Sequence, residues 1–143
     1  MKKMTMWNAV LLGLVAVNPV PAWAQTPSPP GAAVYFINLK DGDTVKSPFK
    51  IQFGLSGMGV APAGIDKEKT GHHHLIIDAM LSADEIKAPL IADPQHVHFG
   101  GGQTETTVTL PPGKHTLQLV LGDQNHMPHN PPLTSPTITV NVE

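Results

Sequence analysis

Eight histidines in a chain of 143 residues with no cysteine are the residues that could do chemistry here. His72, His73 and His74 are consecutive, His96 and His98 flank Val97, His115 stands alone, and His126 and His129 lie in Asp123-Gln124-Asn125-His126-Met127-Pro128-His129. Imidazole nitrogen suits zinc, copper and nickel, whereas calcium and magnesium favour oxygen ligands. The absence of cysteine excludes disulfides, thiolate nucleophiles, iron–sulfur clusters and any copper site built on a cysteine sulfur. No Ser/His/Asp order and no carboxylate pair stands out as a catalytic set.

Spacing decides which histidines can act together. Residues i and i+2 of a strand point to one face, so His72 and His74 share a face with His73 opposite, and His96 shares a face with His98. Strands must then bring these pairs together, and the apolar pattern supplies them. Phe49, Ile51, Phe53 and Leu55 alternate with Lys50, Gln52 and Gly54. Leu117, Leu119 and Leu121, and then Ile138, Val140 and Val142, repeat the same period of two. The pattern predicts seven strands, at 34–39, 48–56, 72–79, 96–99, 104–110, 114–121 and 136–142. Turn chemistry separates them at Asp41-Gly42 and Pro111-Pro112-Gly113. Ser82-Ala83-Asp84-Glu85 fits a capping box that starts a helical turn inside the 80–95 connection. The expected fold is all-β, a single antiparallel immunoglobulin-like sandwich.

In such a sandwich the third and sixth strands pair antiparallel. The start of the third strand then lies beside the end of the sixth, next to Asp123, with His126 and His129 in the loop above. If the fourth strand doubles back on the third, His98 reaches the same rim. The expected ligand set is therefore His72, His74, His96, His98, His126 and His129, with copper ahead of zinc. Asp123 is either a ligand or an acceptor that fixes a histidine tautomer. His115 lies eight residues before Asp123, roughly 26 Å away at about 3.3 Å per residue. It shares the face of Leu117 and Leu119, so a separate hydrogen-bonded structural role is expected, and His73 is expected to be structural too. Metal binding should weaken below about pH 6, because an imidazole of ordinary pKa near 6.5 must lose its proton to coordinate.

Lesser features surround the histidines. Gly100-Gly101-Gly102 follows His98, either as a flexible turn or as a close approach of backbone to a ligand. Met127 could supply a thioether to reduced copper, whereas Met58 and Met80 suit gap-filling. Asp41, Asp43, Asp66 and Glu68 read as solvated loop charges.

Lys2-Lys3, an apolar run from Trp7 to Val17 and Ala22-Trp23-Ala24 have the layout of a bacterial secretory signal, cut after Ala24. The run is too short to span a membrane, so a soluble periplasmic product is expected. Its parts would be a signal peptide at 1–24, an exposed proline-rich leader at 25–33 and a sandwich domain at 34–143. The new N-terminus would be Gln25, which excludes copper chelation by an N-terminal histidine. Residues 25–143 carry seven lysines against eleven acids and no arginine, which argues against nucleic acid as a partner. The expected partner is the metal ion, with another periplasmic protein as a further candidate. Two rival functions share the residues: a metal-dependent oxidoreductase of the superoxide-dismutase kind, and a metal-free structural or interaction module in which the histidines form a hydrogen-bonded network.

The stretch from Tyr35-Phe36-Ile37-Asn38 through Lys46-Ser47-Pro48 resembles the opening of an exported bacterial family known as domain of unknown function 4399. Gly71-His72-His73-His74-Leu75 and His96-Val97-His98-Phe99-Gly100-Gly101-Gly102-Gln103-Thr104-Glu105 are similar to its central signatures. Pro112-Gly113-Lys114-His115-Thr116-Leu117 and Gly122-Asp123 through His129 are similar to its last. The resemblance runs over about residues 34 to 142. It implies membership without a settled activity, and it implies that His115 belongs to the motif as much as the other histidines. The small copper-resistance carriers of the periplasm are similar in architecture alone, since their site uses an N-terminal histidine and fold does not give function.

Overall fold

A computed structural model describes residues 24–143. The expected signal peptide falls almost wholly on residues outside that range. The described chain forms nine strands: β1 (Ala33–Phe36), β2 (Thr44–Val45), β3 (Phe49–Ser56), β4 (Gly59–Val60), β5 (Thr70–Ile77), β6 (His96–His98), β7 (Glu105–Val108), β8 (Gly113–Gly122) and β9 (Ile138–Val142). A 3₁₀ turn, Glu85–Lys87, is the one helical element described.

The strands form two sheets. One has the order β1-β3-β7, and the other runs β2-β9-β8-β5-β4 with β6 also paired to β5. The seven expected strands are all present. The two extra ones are two-residue edge segments, and each pairs in parallel, β2 with β9 and β4 with β5. Val34, Phe49, Ile51 and Phe53 from the smaller sheet meet Leu75, Ile77, Leu117, Leu119, Leu121 and Val140 from the larger one in a single core. Their alternation with Lys50, Gln52, Gln118 and Asn141 is what makes these segments strands, since only a period of two puts every apolar side chain on one face. Full burial of each such side chain is worth about 1.5–3 kcal/mol.

β5 departs from the alternating pattern, with every residue from Gly71 to Ile77 buried. It sits mid-sheet between β8 and β6, and chain covers its outer face as well. The connection from Asp78 to Gln95 folds back over that face, where Leu90 joins Ile76 and Val120 in a second small apolar cluster. Ser82 and Glu85 start the 3₁₀ turn there with reciprocal capping bonds, Glu85 N–H to Ser82 Oγ at 3.2 Å and Ser82 N–H to Glu85 Oε2 at 2.7 Å.

The leader is tied down instead of projecting freely. Ser28 N–H donates to Asn130 O at 3.1 Å, and Asn130 N–H donates to Thr26 O at 2.9 Å. Gln25 Nε2 donates to Ile86 O at 2.6 Å and to Pro128 O at 2.9 Å. Thr26 Oγ1 donates to Asp123 Oδ2 at 2.6 Å. Residues 25–28 therefore form a strap across the loop that follows β8. Proline restricted this segment to extended backbone, but the polar side chains and free carbonyls between the prolines gave it partners.

Candidate metal centre

The outer face of the larger sheet carries His72, His74, His96 and His98. Register sets His74 of β5 opposite His98 of β6, and Ile76 opposite His96. On the other flank of β5, His72 lies opposite Gly122 and His74 opposite Val120. His72, His74 and His98 therefore converge by pleat and register alone. The missing side chain at position 122 leaves room for them. A Cβ there would lie 2.6 Å from Cε1 of His74. Gly100 serves His98 in the same way, because a Cβ at 100 would overlap the His98 ring. At Gly100 the close approach is to the His98 ring, and Gly102 supplies a turn at φ +82°.

His126 arrives from the loop after β8. Its backbone is held at φ +64°, a left-handed conformation unusual outside glycine. Three sets of hydrogen bonds impose it. His126 N–H donates to Asp123 O at 3.0 Å, Asp123 N–H donates to Met127 O at 2.8 Å, and Leu90 N–H donates to His126 O at 3.0 Å. The Asp123 carboxylate closes the loop. Its Oδ1 accepts the N–H groups of Asn125 and Met127 at 2.8 and 3.0 Å, and its Oδ2 accepts Thr26 Oγ1. Asp123 thus shapes the loop that presents His126 and stands outside the imidazole cluster.

One ring nitrogen from each of His72, His74, His98 and His126 falls within 4.8 Å of all the others. The six ring-centroid separations run from 4.6 to 6.1 Å. His72 Nε2 and His126 Nδ1 are 3.1 Å apart. Tetrahedral ligands at metal–nitrogen bonds of about 2.0–2.1 Å lie about 3.4 Å apart, so this pair already has the spacing of two ligands on one ion. His72 and His74 are fully buried, while His98 and His126 are half-buried and form the solvent side of the cluster.

The electrostatics favour neutral rings. Burial pushes His72 down to about 4, helped by the charges His98 and His126 would carry and opposed by Asp123. Burial pushes His74 further, to about 2, with His72, His98 and His126 adding to the shift. His98 is lowered by burial and then by His126. His72, His74 and His98 therefore present lone pairs at neutral pH. Nδ1 of His72, both nitrogens of His74 and Nε2 of His98 meet no hydrogen-bond partner within the protein. A buried polar atom without a partner costs about 1–3 kcal/mol, so four of them on three adjoining rings is a costly arrangement for a fold with nothing to bind.

The remaining histidines lie elsewhere. His96 shares the face of His98 but turns to Asp93 and Glu85. His129 is fully buried, with Nδ1 donating to Leu121 O at 3.3 Å, and its ring borders Gly71. His73 points into the core, 5.1 Å from the Phe53 ring, and burial holds it down to about 4. His115 is hydrogen-bonded and remote from the rim, as its eight-residue offset requires. Its Nδ1 meets Asp78 Oδ2 at 2.7 Å and its Nε2 meets Pro111 O at 2.9 Å. Met127 is buried beside His126 in the sequence, Met80 is exposed, and Met58 rests on the core. Gly122 and the Thr26–Asp123 link are parts of the site that spacing arguments about histidine did not find. The signal available was a glycine at the end of β8 and another two residues beyond β6.

Such a centre offers four imidazole nitrogens and neither carboxylate oxygen nor thiolate, a donor set for a transition-metal ion and unsuited to calcium or magnesium. Neither the curated proteins nor the solved structures contain a match to the chain. The family model for the domain of unknown function DUF4399 matches residues 51–143, a span that includes all four converging histidines, and the chain belongs to that family.

Proposed function

We propose that this is an exported metal-binding protein that holds one transition-metal ion on His72, His74, His98 and His126, with copper ahead of zinc. The observation that carries the reading is that four side chains from three separate segments meet within 4.8 Å with most of their buried nitrogens unpartnered. Copper leads because divalent copper heads the affinity order for nitrogen ligands among first-row ions. Buffering, delivery or detoxification in the periplasm suits a site with two half-buried rings, since a partner could take the ion from the His98 and His126 side. The charged start, the apolar run and Ala22-Trp23-Ala24 support export. No helix among the described residues is long and apolar enough to cross a membrane.

Titration of the purified protein with copper and with zinc at pH 7.5, read by elemental analysis after gel filtration, tests the binding. One ion per chain, abolished by His72→Ala combined with His74→Ala, is the expected result. No uptake at micromolar metal ends the reading. Sequencing of the N-terminus from a periplasmic extract checks the export, with Gln25 expected as the first residue.

A further inference from the structure

His96 is the histidine that the four-ring centre leaves over, and its surroundings are built with the same care. Asp93 Oδ1 accepts the N–H groups of Gln95 and His96 at 2.7 and 2.8 Å, and it also meets His96 Nδ1 at 2.9 Å. The backbones of Asp93 and His96 exchange two further hydrogen bonds of 3.2 Å. The ring is therefore fixed, and the carboxylate claims the proton on Nδ1. That leaves the Nε2 lone pair facing outward from β6. It has no hydrogen-bond partner and is closed off from solvent. The group it faces is another lone-pair donor, Glu85 Oε1, at 3.6 Å. Glu85 is itself held in place, because Ser82 N–H and Ser82 Oγ occupy its other oxygen at 2.7 and 2.6 Å. A cavity of about 420 Å³ bordered by Asp84, Glu85, Leu90, Ile91 and Asp93 opens onto this gap.

A carboxylate orienting a histidine through Nδ1 while Nε2 is left for an ion is a recurrent arrangement at zinc sites. A gap of 3.6 Å between nitrogen and oxygen is what an ion bonded to both at about 2.1 Å would leave, at an angle of about 120°. We propose that His96 and Glu85, with Asp93 orienting the ring, form a second and weaker site for a divalent transition-metal ion, with zinc and cupric copper as the candidate class. Two protein ligands leave the other positions to water, so the ion is held loosely and exchanges readily. His96 and His98 share a face of β6 about 7 Å apart along the strand. An ion on His96 therefore lies one step from the four-histidine centre, and this site serves as its loading station. The second site stands on its own geometry, whereas the loading role rests on the function proposed above.

Zinc titration of the full chain at pH 7.5 by calorimetry tests the proposal. Two ions per chain are expected, one tight and one weaker. Glu85→Gln should remove the weaker ion and keep the tight one, and Asp93→Asn should weaken it about 10–100-fold. His72→Ala with His74→Ala should remove the tight ion and keep the weaker one. Stopped-flow loading of the tight site should slow in Glu85→Gln. A wild type that takes one ion, with Glu85→Gln and Asp93→Asn unchanged, overturns the second site and leaves the four-histidine reading intact. A weaker ion that disappears in Glu85→Gln without any slowing of loading overturns the loading role alone. No ion at either site overturns both.

Discussion

His74 has the most perturbed environment among the four converging rings, and it neighbours all three others. His74→Gln keeps much of the volume but loses the ring nitrogens, and it should lower copper affinity at least about 100-fold, compared with little change for His129→Gln. Competition with a chelator of known affinity measures both. Gly100→Ala removes no ligand, yet its methyl would overlap the His98 ring. It should weaken binding about 10–100-fold, as disturbance of a ligand's support typically does. Normal affinity in Gly100→Ala would show that His98 is free to reorient. The lowered pKa values also set the acid limit of binding. A proton competes effectively for a lone pair only at and below the pKa of the metal-free ring, which is about 4 for His72 and about 2 for His74 instead of 6.5. His72 and His74 should therefore keep their hold on copper below the limit near pH 6 that ordinary imidazoles would impose. A pH titration of copper absorbance checks the difference.

Elements decide whether the fourth ring is in place. β5 and β6 align His72, His74 and His98 by register, but His126 depends on a loop at φ +64°. That loop is fixed by Asp123, and Asp123 is bound in turn by Thr26 from the strap. Thr26→Val should cost about 1 kcal/mol of stability, the usual worth of a hydrogen bond. It should also lower metal affinity several-fold through His126, and His126→Ala should abolish that additional effect in a double-mutant cycle. The strands and all four converging histidines were legible, His72, His74 and His98 because a period of two and an i, i+2 spacing are local, and His126 because antiparallel pairing of the third and sixth strands sets its loop over the same rim. The strap was not legible. Its bonds join residues about a hundred positions apart, and Gln25 to Ser28 carry no apolar period to betray them. His96 was assigned to the cluster for the same reason that His98 belongs there, a shared face. What separates them is Asp93 and Glu85, which reach His96 through a turn and a capped segment that strand periodicity cannot see.

At the scale of the whole molecule, two ends of the sandwich respond oppositely to pH and metal. The rim holds His72, His74 and His98 in the neutral form with unpartnered nitrogens, so an ion bound there only in the folded state should stabilise the fold by about 2.7 kcal/mol at a hundred times Kd. At the far end of β8, His115 faces acceptors on both ring nitrogens, Asp78 Oδ2 and Pro111 O. Both nitrogens can donate at once only in the imidazolium form. The Asp78 hydrogen bond raises the His115 pKa first, the Pro111 carbonyl adds to it, and burial opposes both. The folded pKa is then above the unfolded value near 6.5, so the folded state binds the extra proton between the two. The stabilisation is complete below about pH 6.5 and fades as pH rises through the folded value. His115→Gln should therefore destabilise the protein by about 1.5–3 kcal/mol at pH 6, the range for a hydrogen bond to a charged group, and by less at pH 9. Urea melts of the metal-free protein across that range read the difference directly. A constant gap between wild type and His115→Gln would mean that the ring stays neutral, and its link to Asp78 would then be an ordinary hydrogen bond.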